Sequence, residues 1–163
     1  MAGAGIGNKF LLIKLADFLN CIMTIQMAVL CDAAMDYNGK LSLLGTFDTI
    51  MAKQLPAQHP QCSVAVRIVF DKIEEGAHKL KMNFVDEDGR FIMPSIDVPV
   101  DVVVPGDANF ISRNFILNIQ QLKFEKFGIY SLDVAVDGRS EVSLPLLVKE
   151  MPELSGSTES HEA

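Results

Sequence analysis

The chain has 163 residues, of which 49% are hydrophobic and 21% are charged. This length and apolar content fit one domain with a sizeable core and exclude a wholly disordered chain. The formal net charge is −7, and the lysines and arginines are scattered singly. We therefore expect no nucleic-acid partner, because binding to a phosphate backbone needs clustered positive charge.

The sequence begins with a segment, residues 1–22, that needs its own interpretation. Its apolar run is interrupted by Lys14 and Asp17, so it is too short and too charged for a transmembrane helix or the core of a secretory signal. Helical spacing predicts a helix-capable stretch over residues 9–22. Its repeating apolar positions are Leu11, Leu15, Phe18 and Ile22.

Two interpretations of residues 1–22 stay open. They are an N-terminal extension of the domain, or they come from an upstream start codon and Met23 is the natural start, since the β-like pattern begins right after it. Membrane contact through residues 9–22 would be weak, because only Lys9 and Lys14 could attract lipid.

From Met23 onward the hydrophobic period changes to two, as in half-buried strands. The clearest strand covers residues 62–71. Its core-facing positions are Cys62, Val64, Val66, Ile68 and Phe70, and its other face carries Ser63, Arg67 and Asp71. Further strands of this kind are predicted at residues 24–33, 41–51, 80–84, 96–104, 115–119, 130–134 and 142–148.

Turn signals separate these strands. Asn38-Gly39 and Asp137-Gly138 predict tight hairpins, residues 86–89 predict another, and Pro99 marks an edge strand or a bulge. With about eight strands and no intervening helical pattern, the chain is predicted to be all-β, as an antiparallel two-sheet sandwich over residues 23–150. Residues 151–163 hold three Glu and no Lys or Arg, so we expect a disordered acidic tail.

Three stretches support a resemblance to known proteins. They read MAVLCDAAMDYNGKLSLLGTFDTIMAKQLPAQHP, VDEDGR and FGIYSLDVAVDGR. Over roughly residues 24–149 the chain resembles a family of short bacterial proteins of unknown function with an immunoglobulin-like β-sandwich. The resemblance implies this fold and a bacterial, cytoplasmic setting, and it implies no activity.

Residues 128–130 are similar to the tyrosine corner of immunoglobulin-like sandwiches, in which a Tyr hydroxyl bonds nearby backbone. We expect this role for Tyr130, which would make it a packing residue. The three cysteines, Cys21, Cys31 and Cys62, have no spacing typical of disulfide frameworks, redox pairs or zinc sites. Such cysteine usage fits a reducing cytoplasm.

No combination of residues in the sequence is typical of an enzyme active site. His59 and Cys62 lack further metal ligands, and His59 is expected in a loop, with Cys62 in the core. The carboxylates of residues 86–88 lack the distal Glu of a calcium loop, and no nucleophile-elbow sequence occurs. We expect no catalytic, cofactor or metal site, and therefore no enzyme.

A recognition loop is predicted where two prolines restrict the backbone, at Pro56, Gln58, His59 and Pro60. We expect a non-enzymatic interaction or structural module that docks on a protein or self-associates through an open sheet edge. The alternative is a small-ligand binder or enzyme with a pocket at one end of the sheets. A broad apolar patch or an unpaired edge would favour the first, and a deep polar pocket the second.

Overall fold

The computed structural model describes residues 23–152, which form nine β-strands and one short 3-10 turn, Lys72–Glu74, without an α-helix in this range. The strands are β1 Thr24–Tyr37, β2 Lys40–Phe47, β3 Thr49–Ala52, β4 Ala57–Asp71, β5 Gly76–Asp86, β6 Ile96–Val102, β7 Phe110–Phe124, β8 Gly128–Val136 and β9 Arg139–Glu150. The all-β prediction is confirmed. The predicted helix-capable segment and residues 153–163 lie outside the described residues.

The strands form two sheets. The first has the order β2-β1-β4-β7, and the second has the order β3-β9-β8-β5-β6. All pairs are antiparallel except β3 with β9, which run parallel, so the prediction of purely antiparallel sheets is wrong. The reason is that Asp48 alone links β2 to β3, and the chain leaves the first sheet there to join the second beside β9. The stretch predicted as one strand, 41–51, is therefore two.

The buried side chains of the two sheets form one hydrophobic cluster. The alternation predicted for β4 is confirmed, because every second side chain from Cys62 to Phe70 is buried in this cluster. Side chains from β8, such as Leu132 and Val134, belong to the same cluster. Pro99 lies in β6, the edge strand of the second sheet, as the sequence indicates.

The other face of β4 is also covered. Ser63 and Ala65 are almost fully buried, as is Cys31 opposite Ser63 on β1, although the sequence pattern places Ser63 on a polar face. The cover is the hairpin formed by the end of β1 and β2. A straight β1 would carry Asp36 roughly 30 Å beyond Arg67, at about 3.3 Å per residue.

The hairpin instead folds back over the outer face of the first sheet. Arg67 donates from Nη1 to the Gly39 carbonyl at 3.0 Å and to the Asn114 side chain at 2.7 Å. Asn114 in turn donates to the Asp36 carboxylate at 2.5 Å. Arg67 and Asn114 face each other on β4 and β7, so their polar groups hold the hairpin tip above the centre of the sheet.

Tyr130 makes the local backbone contact expected from the sequence. Its hydroxyl donates to the Lys126 carbonyl at 2.9 Å and accepts from the Lys126 N–H at 3.3 Å. Its ring packs edge-on against Phe124 at 4.9 Å between centroids. The residue therefore ties the entry of β8 to the end of β7.

We predict that Gly45→Ala destabilises the protein. Gly45 lies at the point where the hairpin bends, its φ is +63°, and a Cβ there would overlap the Asp32 carboxylate. A left-handed conformation costs an alanine about 1–2 kcal/mol, and the Asp32 side chain would also have to move. Urea unfolding should show a loss of this size in the free energy of unfolding.

Gly106→Ala is the matched control for this measurement. Its backbone is not left-handed and nothing lies within 4 Å of the added Cβ, so its stability should stay close to that of the unaltered protein. Equal stability of both variants would contradict the role given to Gly45.

Candidate functional site

The residues predicted as a recognition loop line one shallow cleft. Pro56 follows a cis peptide bond, and the next residues already belong to β4, so the prediction of a loop through Pro60 is wrong. The physical reason is that Ala57 and His59 pair with Phe124 and Leu122 on β7. Gln58 and Pro60 are exposed, and all four predicted residues face the cleft beside β3.

His59 was expected in a loop and lies in a strand instead. Its ring packs against Phe47 at 5.4 Å between centroids, and its Nε2 is buried without a hydrogen-bond partner in the described part of the chain. Within residues 23–152, no three His, Cys, Asp or Glu side chains come together as a metal site requires. The cleft at His59 is lined by apolar residues and by the polar Lys53, Gln54 and Gln58.

The two described cysteines are buried thiols. Burial raises the pKa of Cys62 to about 11, and the neighbouring Cys31 and Asp32 add to the shift. Burial, followed by the Asp32 carboxylate, also raises the pKa of Cys31. Because the thiolate is the reactive form, both side chains stay protonated and unreactive at neutral pH.

The acidic turn after β5 is held by protein cations and amides. Asp86 accepts hydrogen bonds from the Asp88 and Arg90 backbone N–H groups, each at 2.9 Å. Asp88 contacts the Lys126 ammonium at 3.2 Å and the Arg90 guanidinium at 3.3 Å. The hydrogen bond and charge of Lys126 lower the pKa of Asp88. These contacts are those of a hairpin tip that is exposed to solvent.

A polar cluster that the sequence did not reveal lies at the opposite end of β5. The His78 ring contacts Asp137 Oδ2 through Nδ1 at 2.7 Å and the Glu74 carbonyl through Nε2 at 2.8 Å. Both partners are oxygen acceptors, so both ring nitrogens donate only when the imidazole is protonated. His78 and Asp137 are 59 positions apart, and only the strand pairing brings them together.

The pKa values of this cluster follow from the same contacts. Burial lowers the pKa of His78, but hydrogen bonds to the Glu74 carbonyl and to Asp137 outweigh it, so the pKa is raised. Burial acts to raise the pKa of Asp137, but hydrogen bonds from His78 and the Lys79 N–H lower it overall. The arrangement favours an ion pair that fastens the 3-10 turn to the β8–β9 turn.

Part of the outer face of the second sheet is apolar. We name it the apolar strip, and it consists of Met51, Val85, Phe91, Ile129, Pro145 and Leu147. Ile129 is 60% exposed and lies directly opposite Leu147, which is 39% exposed. Thr49 of β3 pairs with Leu147 on the other side. The strip therefore crosses neighbouring strands rather than following one of them.

Phe91 extends the strip beyond β5. It forms an isolated bridge with Val85, so the two side chains lie on the same face of the sheet, and Val85 pairs with Ser131 of β8. Phe91 is 60% exposed. Large apolar side chains that are exposed together are uncommon on monomeric proteins and mark interaction sites.

Part of the rest of this outer face is polar and internally paired. The Lys79 ammonium lies 3.1 Å from the Asp97 carboxylate, and Ser143 donates to Asp133 at 2.6 Å. The face is thus divided into an apolar area and a polar area whose groups already have partners. Protein interfaces commonly combine an apolar centre with a polar rim.

Residues 26–149 match the model of a protein family described as a family of unknown function, DUF6941. The chain belongs to this family. No curated protein matches the chain. Within the described range, no helix has the length and apolar character needed to span a membrane.

We predict that stability falls with rising pH because of His78. Its raised pKa means that its contribution is fully present below about pH 6.5 and is lost as the pH rises through the pKa of the folded protein. The Asp137→Asn variant should lower the pKa of His78 and flatten this dependence. NMR titration of the ring and urea unfolding between about pH 6 and pH 8 measure both effects.

Asp133→Asn is the matched control. It also removes one carboxylate charge, from a β8 residue close in sequence to Asp137, but the Asp133 side chain accepts a hydrogen bond from Ser143 rather than from His78. This control should keep the pKa of His78 and the pH dependence of the unaltered protein. An unchanged titration of His78 in Asp137→Asn would refute the coupling.

Proposed function

We propose that the domain is a non-enzymatic protein-interaction module that binds a partner protein through the apolar strip. The observation that carries this proposal is the direct pairing of two exposed apolar side chains, Ile129 and Leu147, at the centre of the strip. Their burial would supply the driving force, at roughly 25 cal/mol per Å² of apolar surface removed from water. The partner is therefore a protein with an apolar contact surface.

The neighbourhood of the strip fits this role. Charged side chains border it, among them Asp48 and Lys149, and the ion-paired polar area lies beyond. Such a rim gives orientation and excludes wrong partners, while the apolar centre contributes most of the affinity. Strands hold the central side chains of the strip, so they need little ordering when a partner binds.

The same proposal includes the architecture, an immunoglobulin-like sandwich. The order β1-β4-β7 in one sheet and β5-β8-β9 in the other matches the A-B-E and C-F-G orders of that fold. Tyr130 near the start of β8 corresponds to the tyrosine near the start of strand F. The single core cluster shared by the two sheets also supports this interpretation. Domains of this kind expose faces and edges that bind other proteins.

A cytoplasmic setting is part of the proposal as well. Cys31 and Cys62 are free and buried, which is typical of proteins kept in a reducing compartment. A bacterial setting is supported by the sequence resemblance alone.

Self-association through an open edge is a second candidate. The edge strand β7 has 15 residues, and within the described range no strand pairs with its outer side. Long unpaired edges are templates for strand addition. This mode would not use the apolar strip, so the two candidates respond differently to changes in Leu147.

A small-ligand or enzymatic role is the third candidate, and it has one supporting observation. A cleft of about 350 Å³ lies at one end of the second sheet, near His78, Asp137 and Arg139. However, both ring nitrogens of His78 already contact protein acceptors. The cleft therefore supports this role less well than the strip supports protein binding.

We predict that Leu147→Asp abolishes partner binding without unfolding the protein, because a charge replaces an exposed apolar contact at the centre of the strip. The measurement is affinity purification of the full chain from its native cells, with quantification of co-eluting proteins. A stoichiometric protein should co-purify with the unaltered chain and be lost from the variant.

Leu44→Asp is the matched control, since Leu44 is exposed on the hairpin away from the strip. The Leu44→Asp variant should retain the co-purifying protein. Recovery of the chain alone, or of a partner that both variants keep, would refute binding through the strip. A concentration-dependent dimer unaffected by Leu147→Asp would favour the β7 edge instead.

A further inference from the structure

The outer edge of β3 is open. β3 is an edge strand of the second sheet, and β9 pairs with its other side. The carbonyls of Asp48 and Ala52 accept hydrogen bonds from N–H groups of β9 and of the residue after it, at 2.8 Å and 2.9 Å. Main-chain groups alternate in direction along a strand, so those of Thr49 and Met51 point away from β9. Within residues 23–152, no strand pairs with this side of β3.

β3 also lacks the features that usually protect an edge strand. Proteins discourage strand addition with charged side chains, proline or bulges at their sheet edges. The other edge strands, β2, β6 and β7, each contain at least one charged residue, namely Lys40, Asp97 and Arg113. β3 has the sequence TIMA, with neither charge nor proline. Its length of four residues limits an added strand to a short segment.

A groove runs along this open edge and lies between β3 and the start of β4. It consists of two adjoining clefts of about 320 Å³ and 330 Å³, and Ile50, Met51 and His59 line both of them. Among the described residues, none from β9 lines either cleft, so the groove is on the side of β3 that has no partner strand. We name it the edge groove. The outward main-chain groups of β3 therefore border a space that an extended chain can enter.

The two ends of the edge groove carry opposite charges. Asp32 lines the cleft at the start of β3, and Lys53 lines the cleft at its end. In the part of the chain that the structure describes, neither side chain forms an ion pair. A segment with a basic side chain near Asp32 and an acidic side chain near Lys53 complements both charges. Because antiparallel pairing is the more stable arrangement, the acidic residue comes first in such a segment.

We propose that the edge groove binds an extended peptide segment of a partner protein, which adds to β3 as a sixth strand of the second sheet. Main-chain groups of the segment bond those of Thr49 and Met51. The side chains of the segment alternate, so that those opposite Ile50 and Ala52 enter the groove and the one opposite Met51 lies on the outer face. In this mode the main-chain hydrogen bonds supply affinity and the side-chain positions supply specificity.

This geometry also defines the chemistry of the segment. An acidic residue is followed by uncharged, strand-forming residues opposite Ala52, Met51 and Ile50, and then by a basic residue. The inference goes beyond the proposed function, because the edge groove binds main-chain groups, whereas the apolar strip buries side chains. It does not depend on binding through Leu147.

A synthetic peptide tests the proposal. The probe is acetyl-EVTVK-amide, in which an acidic residue precedes the strand-forming residues and a basic residue follows them. When it is titrated into the isotope-labelled full chain, the amide NMR signals of Thr49 and Met51 should shift in a saturable way. The dissociation constant should be in the millimolar range, because only a few main-chain hydrogen bonds form. Hydrogen exchange of both amides should slow at saturation.

Met51→Pro removes one outward N–H and leaves the pairing with β9 intact. It should bind the probe at least about 10-fold more weakly, because a carbonyl of the peptide then lacks its donor. Met51→Leu is the matched control, since it changes the same side chain but keeps the N–H, and it should bind like the unaltered chain. Unchanged amide signals from β4 and β8 show that each variant is folded.

Lys53→Glu tests the charge at one end of the groove without altering the outward main-chain groups of β3. It should weaken binding of the probe roughly 3-fold. The peptide acetyl-KVTVK-amide should bind this variant better than the probe does. Failure of this exchange of preference would overturn the placement of the segment.

Binding at Thr49 and Met51 that Met51→Pro weakens and Met51→Leu keeps would support the proposal. The absence of a saturable shift in the unaltered chain, equal binding by the two variants, or shifts confined to the apolar strip would overturn it. Slow exchange of the Met51 amide in the peptide-free monomer would also overturn it, because another part of the chain would then occupy the edge. Exchange protection that rises with protein concentration would overturn it in favour of a second copy.

Discussion

The burial of the central part of β4 on both faces is the constraint on which the rest of the structure depends. One face contributes to the core shared by the two sheets, and the other lies beneath the folded hairpin. β4 also pairs with a strand on each side, β1 and β7. Because central side chains of β4 are buried on both faces and its backbone pairs with a strand on each side, β4 fixes the register of the first sheet. The hairpin, the edge strand and the core follow from that register.

The sequence predicts the inner faces well because the core selects every second side chain. The alternation from Cys62 to Phe70 is such a pattern, and the structure confirms it. The outer face is different. Ser63 is polar and small, as a solvated position would be, yet it is buried because the hairpin returns over it. That return depends on Arg67 meeting Gly39, a contact between residues 28 positions apart, which no local pattern contains.

Part of the apolar strip can be predicted from the sequence, and part cannot. The consecutive apolar residues from Leu146 to Val148 break the alternation of β9, and this break signals an apolar side chain on the outer face. Its neighbour Ile129 could be placed beside it only from the β8–β9 register. The parallel pairing of β3 likewise depends on where one residue, Asp48, turns the chain. The prediction of a loop conformation at residues 57–60 is wrong for a related reason, since Ala57 and His59 pair with β7.

The folding of the hairpin over the sheet constrains how long the hairpin can be. Hairpin tips usually tolerate insertions, because nothing beyond the turn depends on their position. Here the distance from the bend at Gly45 to the tip at Gly39 must equal the distance across the sheet to Arg67 and Asn114. Each inserted residue pair would move the tip past these side chains by about 3.3 Å along each strand. The number of residues in the hairpin is therefore as constrained as the packing of the core.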